Sequence, residues 1–115
     1  MPLSKTKPLT PCPVEQAIQV IGGKWKLLLL RSLSLNGPQR YNELLVSVSG
    51  ISAKELTPNL GELSASGLVA PGPGARNGSK PYALTPLGAG LMPTFQSLLT
   101  WGQKLLNGAT NIPVR

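Results

Sequence analysis

Residues 24–35, KWKLLLLRSLSL, place Trp25, Leu27, Leu28, Leu29, Leu30, Leu33 and Leu35 in one short segment. At the helical period these side chains occupy most of the circumference, where a surface helix keeps a polar face. A helix of this length spans roughly 18 Å, well short of the ~20 apolar residues a bilayer crossing needs. A segment apolar on nearly every side and too short for a membrane has to be wrapped by the rest of its own domain. Residues 24–35 are therefore the expected central helix. Asn36-Gly37-Pro38 supplies its stop.

The flanking segments are punctuated in the same way. Pro13 suits the first position of a helix, where its missing N–H would have been unpaired in any case, and Cys12 becomes the cap. Val14, Ala17, Ile18 and Ile21 follow at helical spacing until Gly22 and Gly23 end the helix. Beyond the central helix, Arg40-Tyr41 is expected as a short strand. Asn42 is expected to cap a third helix that buries Leu44, Leu45 and Val48. Gly50 breaks that helix, and Ser52-Ala53-Lys54-Glu55 reads as a capping box for a fourth, with Leu56, Leu60 and Leu63 on its inner face. Two short helices joined by a tight glycine-containing turn form a helix-turn-helix pattern.

Leu68 to Ala70 and Tyr82 to Leu84 are expected to pair as a hairpin across PGPGARNGSKP, which makes a wing beside the fourth helix. The Gly-Ser-Lys of that loop is in the wrong order for a phosphate-binding loop and lacks its strand-to-helix setting. Thr85-Pro86 opens a last helix expected to reach about Leu106, with Leu87, Leu91, Phe95, Leu98, Gly102 and Leu105 on one line and Met92, Leu99 and Leu106 on a second. Pro93 inside it is expected to produce a kink. One small core cannot cover both lines, so a second copy of the chain is the expected partner for the surplus.

The fold class is therefore mainly α (α+β): a winged helix-turn-helix with a two-stranded wing and a long C-terminal dimerisation helix. Residues 1–11 are expected as a flexible N-terminal arm, 12–106 as the domain and 107–115 as a flexible tail.

Composition narrows the chemistry. Eleven Lys and Arg against four acidic residues give a net charge of +7, with no His. The acidic residues are all Glu, and one cysteine is present. Most acid–base catalysis uses His or paired carboxylates, and structural zinc uses several Cys or His. A non-enzymatic protein without metal or cofactor is the expectation. The basic excess points to double-stranded DNA as the partner. A lone thiol fits a reducing compartment, and no signal-like or membrane-spanning run is visible, so a cytoplasmic protein is expected.

Read in order, CPVE, IGGKWKLLLLRSL, RYNELL, GISAKELTPNLGEL, SGLV and YALTPLG followed by Trp101 resemble the HxlR-type winged helix-turn-helix transcriptional regulators. The resemblance runs from Cys12 to about Leu106. It implies a dimeric DNA-binding regulator, usually a repressor and sometimes an activator, whose terminal helices form the dimer. Some members use the cysteine before the first helix to sense electrophiles or oxidants, and Cys12 holds that position. The family's recognition helix tends to carry long polar or basic residues where this chain has Pro58 and Gly61.

The candidate DNA-binding residues follow from the fourth helix and the wing. Lys54, Thr57 and Asn59 are the expected base readers, with Ser52 at the start of the same helix. Thr57 or Pro58 is placed to touch a thymine methyl, and Asn59 to pair with adenine. Arg76, Asn77 and Lys80 on the wing are assigned to phosphate or the minor groove, and Arg40 and Lys24 to phosphates. Val14, Ile18, Met92, Leu99, Trp101 and Leu106 are the expected dimer interface. At a helix N-terminus the exposed N–H groups favour a thiolate, so Cys12 is the candidate redox sensor for a small electrophile or oxidant. Pro58 either lies within the fourth helix and kinks it, or starts its regular part with Thr57 as cap. A small thiol peroxidase built on Cys12 and a winged-helix module that binds only protein are the alternative functions.

Overall fold

The computed structural model describes residues 12–71 and 81–111, with side chains to residue 108. The elements are α1 (Pro13–Ile21), α2 (Lys26–Asn36), α3 (Tyr41–Ser47), α4 (Ala53–Ala65), β1 (Val69–Pro71), β2 (Tyr82–Leu84), α5 (Pro86–Ala89) and α6 (Met92–Asn111). The central position of α2 holds: Leu29 and Leu30 are 0% exposed, and Leu33 is buried with them. Around these pack Leu44 and Val48 from α3 and its end, Leu56, Leu60 and Leu63 from α4, and Leu68 and Val69 entering the wing. Leu35 is the exception, since it lies in the last turn of α2 and faces outward. Each buried leucine contributes roughly 1.5–3 kcal/mol relative to an exposed one.

A polar cluster that the hydrophobic pattern did not reveal crosses this core. Gln39 donates from Nε2 to the Ser32 carbonyl at 3.0 Å and to its Oγ at 2.9 Å, and accepts from Ser47 Oγ at 2.8 Å. The Ser32 and Ser47 hydroxyls are themselves 2.7 Å apart. Gln39 also exchanges backbone hydrogen bonds with Tyr82 at 2.7 and 3.0 Å, an isolated antiparallel bridge. One residue thereby ties α2, α3 and the base of the wing together, with its buried polar atoms satisfied. The strand expected at Arg40-Tyr41 is realised one residue earlier, as this bridge. The expected Asn42 cap is corrected as well: Arg40 occupies the cap position of α3, and the Glu43 carboxylate accepts its N–H at 2.7 Å.

The capping box of α4 is present. Glu55 N–H donates to Ser52 Oγ at 3.3 Å, and Ser52 N–H donates to Glu55 Oε1 at 3.0 Å. Helix runs on both sides of Pro58 from Ala53 to Ala65, so the reading in which Thr57 caps a helix that starts at Pro58 is corrected. Gly61 in the same helix costs about 1 kcal/mol relative to alanine. Packing gives no reason for it: a methyl group built there meets no neighbouring atom within 4 Å.

The wing strands pair antiparallel with Val69 opposite Leu84 and Pro71 opposite Tyr82, one residue later in β1 than expected. The single last helix is corrected to two. α5 ends at Ala89, a turn at Gly90 and Leu91 follows, and α6 starts at Met92. Pro93 is thus the second residue of α6, in the first turn, where its lack of an N–H costs no intrahelical bond, and the expected kink inside a continuous helix does not arise. α6 then continues through residues 107–111, where a tail was expected. Gly108 lowers helix propensity there without ending the helix.

Candidate nucleic-acid interface and subunit surface

α4 and α3 form the helix-turn-helix, and α4 presents a face away from the core. Lys54, Thr57, Pro58 and Gly61 are exposed on it, while Asn59 is half-buried. Two of the three expected base readers are engaged within the protein. Thr57 Oγ1 lies 2.6 Å from the Tyr41 hydroxyl, which also donates to the Ala53 carbonyl at 3.3 Å. Asn59 turns its amide back to donate to the Glu55 carbonyl at 2.8 Å. Lys54 remains the long cationic side chain at the exposed start of the helix. Tyr41, which sequence reasoning left in a strand, is the residue that orients Thr57. Its signal was its place at the opening of α3, next to Arg40, and both residues face solvent at least in part.

The carboxylates of α4 both have partners within the protein. Glu55 accepts from the Ser52 backbone and hydroxyl, and these bonds, helped by Trp25 and the charge of Lys24, hold its pKa below the usual carboxylate value. A depressed carboxylate stabilises the fold above its unfolded pKa. That contribution is present at neutral pH and is lost as the pH falls through the lowered value. Glu62 pairs with Lys26 at 2.5 Å, the lysine being the more enclosed partner. Neither acid is therefore left unpaired on the face α4 presents to solvent. Lys24 lies over the Trp25 ring, 4.6 Å from its centroid, so part of its charge is held against the aromatic face. Ser52 is committed to the cap. Arg40 is exposed at the start of α3. Arg76, Asn77 and Lys80 lie outside the described residues.

A second surface is apolar. Leu99 is 47% exposed, Trp101 59% and Leu106 70%, and Leu98 and Leu105 on the neighbouring line of α6 are exposed as well. Val14 and Ile18 on α1 are exposed to a similar degree, whereas Met92, at the start of α6, is half-buried. Between α1 and α5 runs a groove of about 580 Å³ whose walls include Ala17, Val20, Ile21, Leu87 and Leu91. The expected interface residues therefore lie on α1 and α6, all exposed except the half-buried Met92. Cys12 is exposed at the cap of α1, where its carbonyl accepts from Gln16 N–H at 2.9 Å and its thiol makes no cap bond. Lys5 and Lys7 lie outside the described residues. Among the described residues no group of three or more His, Cys, Asp or Glu is placed to hold a metal ion. No helix among them is long and apolar enough to cross a membrane.

A capped helix-turn-helix backed by a two-stranded wing defines a winged helix-turn-helix transcriptional regulator. A profile of the HxlR-like helix-turn-helix family matches residues 20–110, and the chain belongs to that family. It is 44% identical over 94 residues to a protein of Bacillus subtilis described as the HTH-type transcriptional regulator YkvN, a match covering 79% of this chain and 77% of the relative. The crystal structure described as that of an HTH-type transcriptional regulator, ytcD, superposes with a TM-score of 0.75 at 34% identity, covering 84% of this chain and 99% of that one. The redox regulator HypR in its oxidized form superposes with a TM-score of 0.67 at 36% identity, over 81% of this chain and 96% of that one.

Proposed function

We propose that the protein is a homodimeric repressor that binds an inverted-repeat operator, with Cys12 as the residue through which an electrophile or oxidant changes its affinity. The observation that carries this reading is the pairing of two unlike surfaces on one small unit. The helix-turn-helix presents Lys54 with Glu62 paired to Lys26 and Glu55 held in the Ser52 cap, and α6 presents an apolar stripe that its own domain leaves open. A two-fold dimer sets its recognition helices on successive major-groove faces, so half-sites lie ~10 bp or a small multiple apart. Lys54 and Thr57 are assigned to α4 readout, and Ser52 and Asn59 support it through the backbone. Arg40, Arg76, Asn77 and Lys80 are assigned to phosphate and minor groove.

Selection from random duplexes by the purified protein tests the whole reading. An inverted repeat is expected, and a footprint on one asymmetric site counts against it. With the selected operator, Arg76→Ala and Lys80→Ala each weaken all duplexes alike and lower the salt slope by roughly one. Failure to bind any duplex at low salt removes the DNA reading and leaves a module that binds only protein.

Support for the Cys12 assignment is its exposure at the mouth of α1, on the side of the proposed subunit boundary, together with the likeness to HypR. An adduct or an intersubunit disulfide at this point alters the packing of α1 and hence the separation of the two reading helices. Diamide or a quinone is expected to change operator affinity in the wild type and leave Cys12→Ser, which still binds, unaffected. Equal responses of the two proteins would make Cys12 a packing residue only.

A further inference from the structure

We propose that Tyr41 is a positioning residue that fixes the polarity of Thr57, so that the threonine presents only a hydrogen-bond acceptor to the major groove and selects a base with an exocyclic amino group, adenine or cytosine, at the position it meets. The inference rests on the DNA reading above and names what one residue of that surface recognises.

A phenol has one proton to give. Tyr41 donates its own to the carbonyl of Ala53, the first residue of α4, at 3.3 Å. The 2.6 Å contact between Tyr41 Oη and Thr57 Oγ1 needs a proton as well, and the threonine is then the side that supplies it. A threonine hydroxyl also carries a single proton beside its lone pairs, so Thr57 keeps acceptor capacity and has no donor left. An unrestrained hydroxyl rotates to suit either kind of base edge. Here the phenol that holds the proton is itself held, because Tyr41 is half-buried, packs against the core and shares a cleft wall with Leu60 and Tyr82.

The neighbours of Thr57 on the exposed face of α4 leave this polarity undiluted. Lys54 is a cation that can only donate, and the Pro58 and Gly61 side chains have no hydrogen-bonding group. Asn59 is half-buried with its amide on the Glu55 carbonyl, and Glu62 is paired with Lys26. In the major groove an acceptor is satisfied by adenine N6–H or cytosine N4–H, whereas guanine O6 and thymine O4 set lone pair against lone pair. With its proton spent on Tyr41, Thr57 cannot turn to serve the second pair.

Selection from random duplexes by wild type, Thr57→Val, Thr57→Ser and Tyr41→Phe tests this. The wild type is expected to hold adenine or cytosine at one position of each half-site. Thr57→Val keeps the shape and drops the acceptor, and is expected to lose the preference at that position alone and to bind the wild-type operator roughly tenfold less well. Thr57→Ser keeps the hydroxyl and is expected to retain the preference. Tyr41→Phe returns the proton to Thr57, and guanine or thymine at that position is then expected to bind within roughly threefold of the preferred base, against roughly tenfold discrimination in the wild type. Operators lacking only the amino group, with purine for adenine or pyrimidin-2-one for cytosine, are expected to cost the wild type roughly tenfold and Thr57→Val nothing. If Tyr41→Phe lowers Tm and weakens every duplex equally with the base preference intact, or if Thr57→Val selects the same sequence as the wild type, the polarity assignment falls while the regulator reading stands. A wild type that holds guanine or thymine at the Thr57-dependent position also overturns it. Absence of duplex binding by the wild type removes both.

Discussion

Lysine at positions 99 and 106 together is expected to leave the protein monomeric and to remove tight operator binding. Leu99 and Leu106 are seven residues apart on α6, 47% and 70% exposed, and so stand on one stripe one pair of turns apart. Burying each in a subunit interface contributes roughly 1.5–3 kcal/mol, and a two-fold interface counts every contact twice. Replacing both in each copy removes that gain and sets four ammonium groups against an apolar partner, where an unpaired charge costs several kcal/mol more. Against dimers held by roughly 10–12 kcal/mol, this is enough for complete dissociation at micromolar concentration. Sedimentation velocity reads the mass directly, and the same samples in a gel shift read the loss of the paired half-site. An unchanged dimer would end the assignment of α6 to the subunit boundary. A monomer that still binds the full operator tightly would end the inverted-repeat arrangement.

Gly88→Ala is expected to be the most damaging of the single substitutions in the folded unit. A Cβ on Gly88 would stand 2.2 Å from the Leu68 carbonyl oxygen and 3.1 Å from its carbon, and backbone cannot turn aside as a side-chain end can. The approach is fixed from several directions. Thr85 N–H donates to that same Leu68 carbonyl at 3.0 Å, Thr85 Oγ1 donates to the Gly67 carbonyl at 2.6 Å, and Gly88 N–H donates to Thr85 Oγ1 at 3.1 Å. Relieving the overlap means lifting α5 off the entry to the wing and loosening Leu68, which is part of the core. Overpacking of this kind costs about 1–3 kcal/mol and more where backbone must move. In a domain of this size that lowers Tm by roughly 10 °C. Calorimetry of Gly88→Ala beside Gly61→Ala should show shifts of opposite sign. A Gly88→Ala protein within a degree or two of wild type would show that α5 does not rest on Leu68.

What the sequence made legible was whatever repeats or punctuates. The run of leucines identified α2 because burial on all sides leaves no polar face to mistake. Ser52 and Glu55 identified the start of α4 because a capping box is a local, paired signal. The break at Gly90 and Leu91 escaped notice because apolar residues at spacings of three and four continue across it, and periodicity carries no record of two residues that leave the helix. The Ser32, Gln39 and Ser47 cluster was equally hidden: three polar residues spread over two helices and a turn look like surface until the chain folds them together. For the interface, the positions on α4 were readable but their availability was not. Whether Asn59 faces a base or its own helix depends on the Glu55 carbonyl, and Thr57 depends on Tyr41, which comes from another helix. The wing residues Arg76, Asn77 and Lys80 remain assignments from sequence and charge.

The turn between α5 and α6 has a consequence for how such a regulator can diversify. Gly90 and Leu91 alone connect the unit that would grip DNA to the helix that would join two copies. In the proposed dimer, the distance and twist between the two grips therefore depend on the torsions of this two-residue joint as well as on the packing of α1. Operator spacing and core sequence then become separate characters, free to change at different times. A lineage can respace its binding sites by altering the joint and keep the rest of the molecule intact.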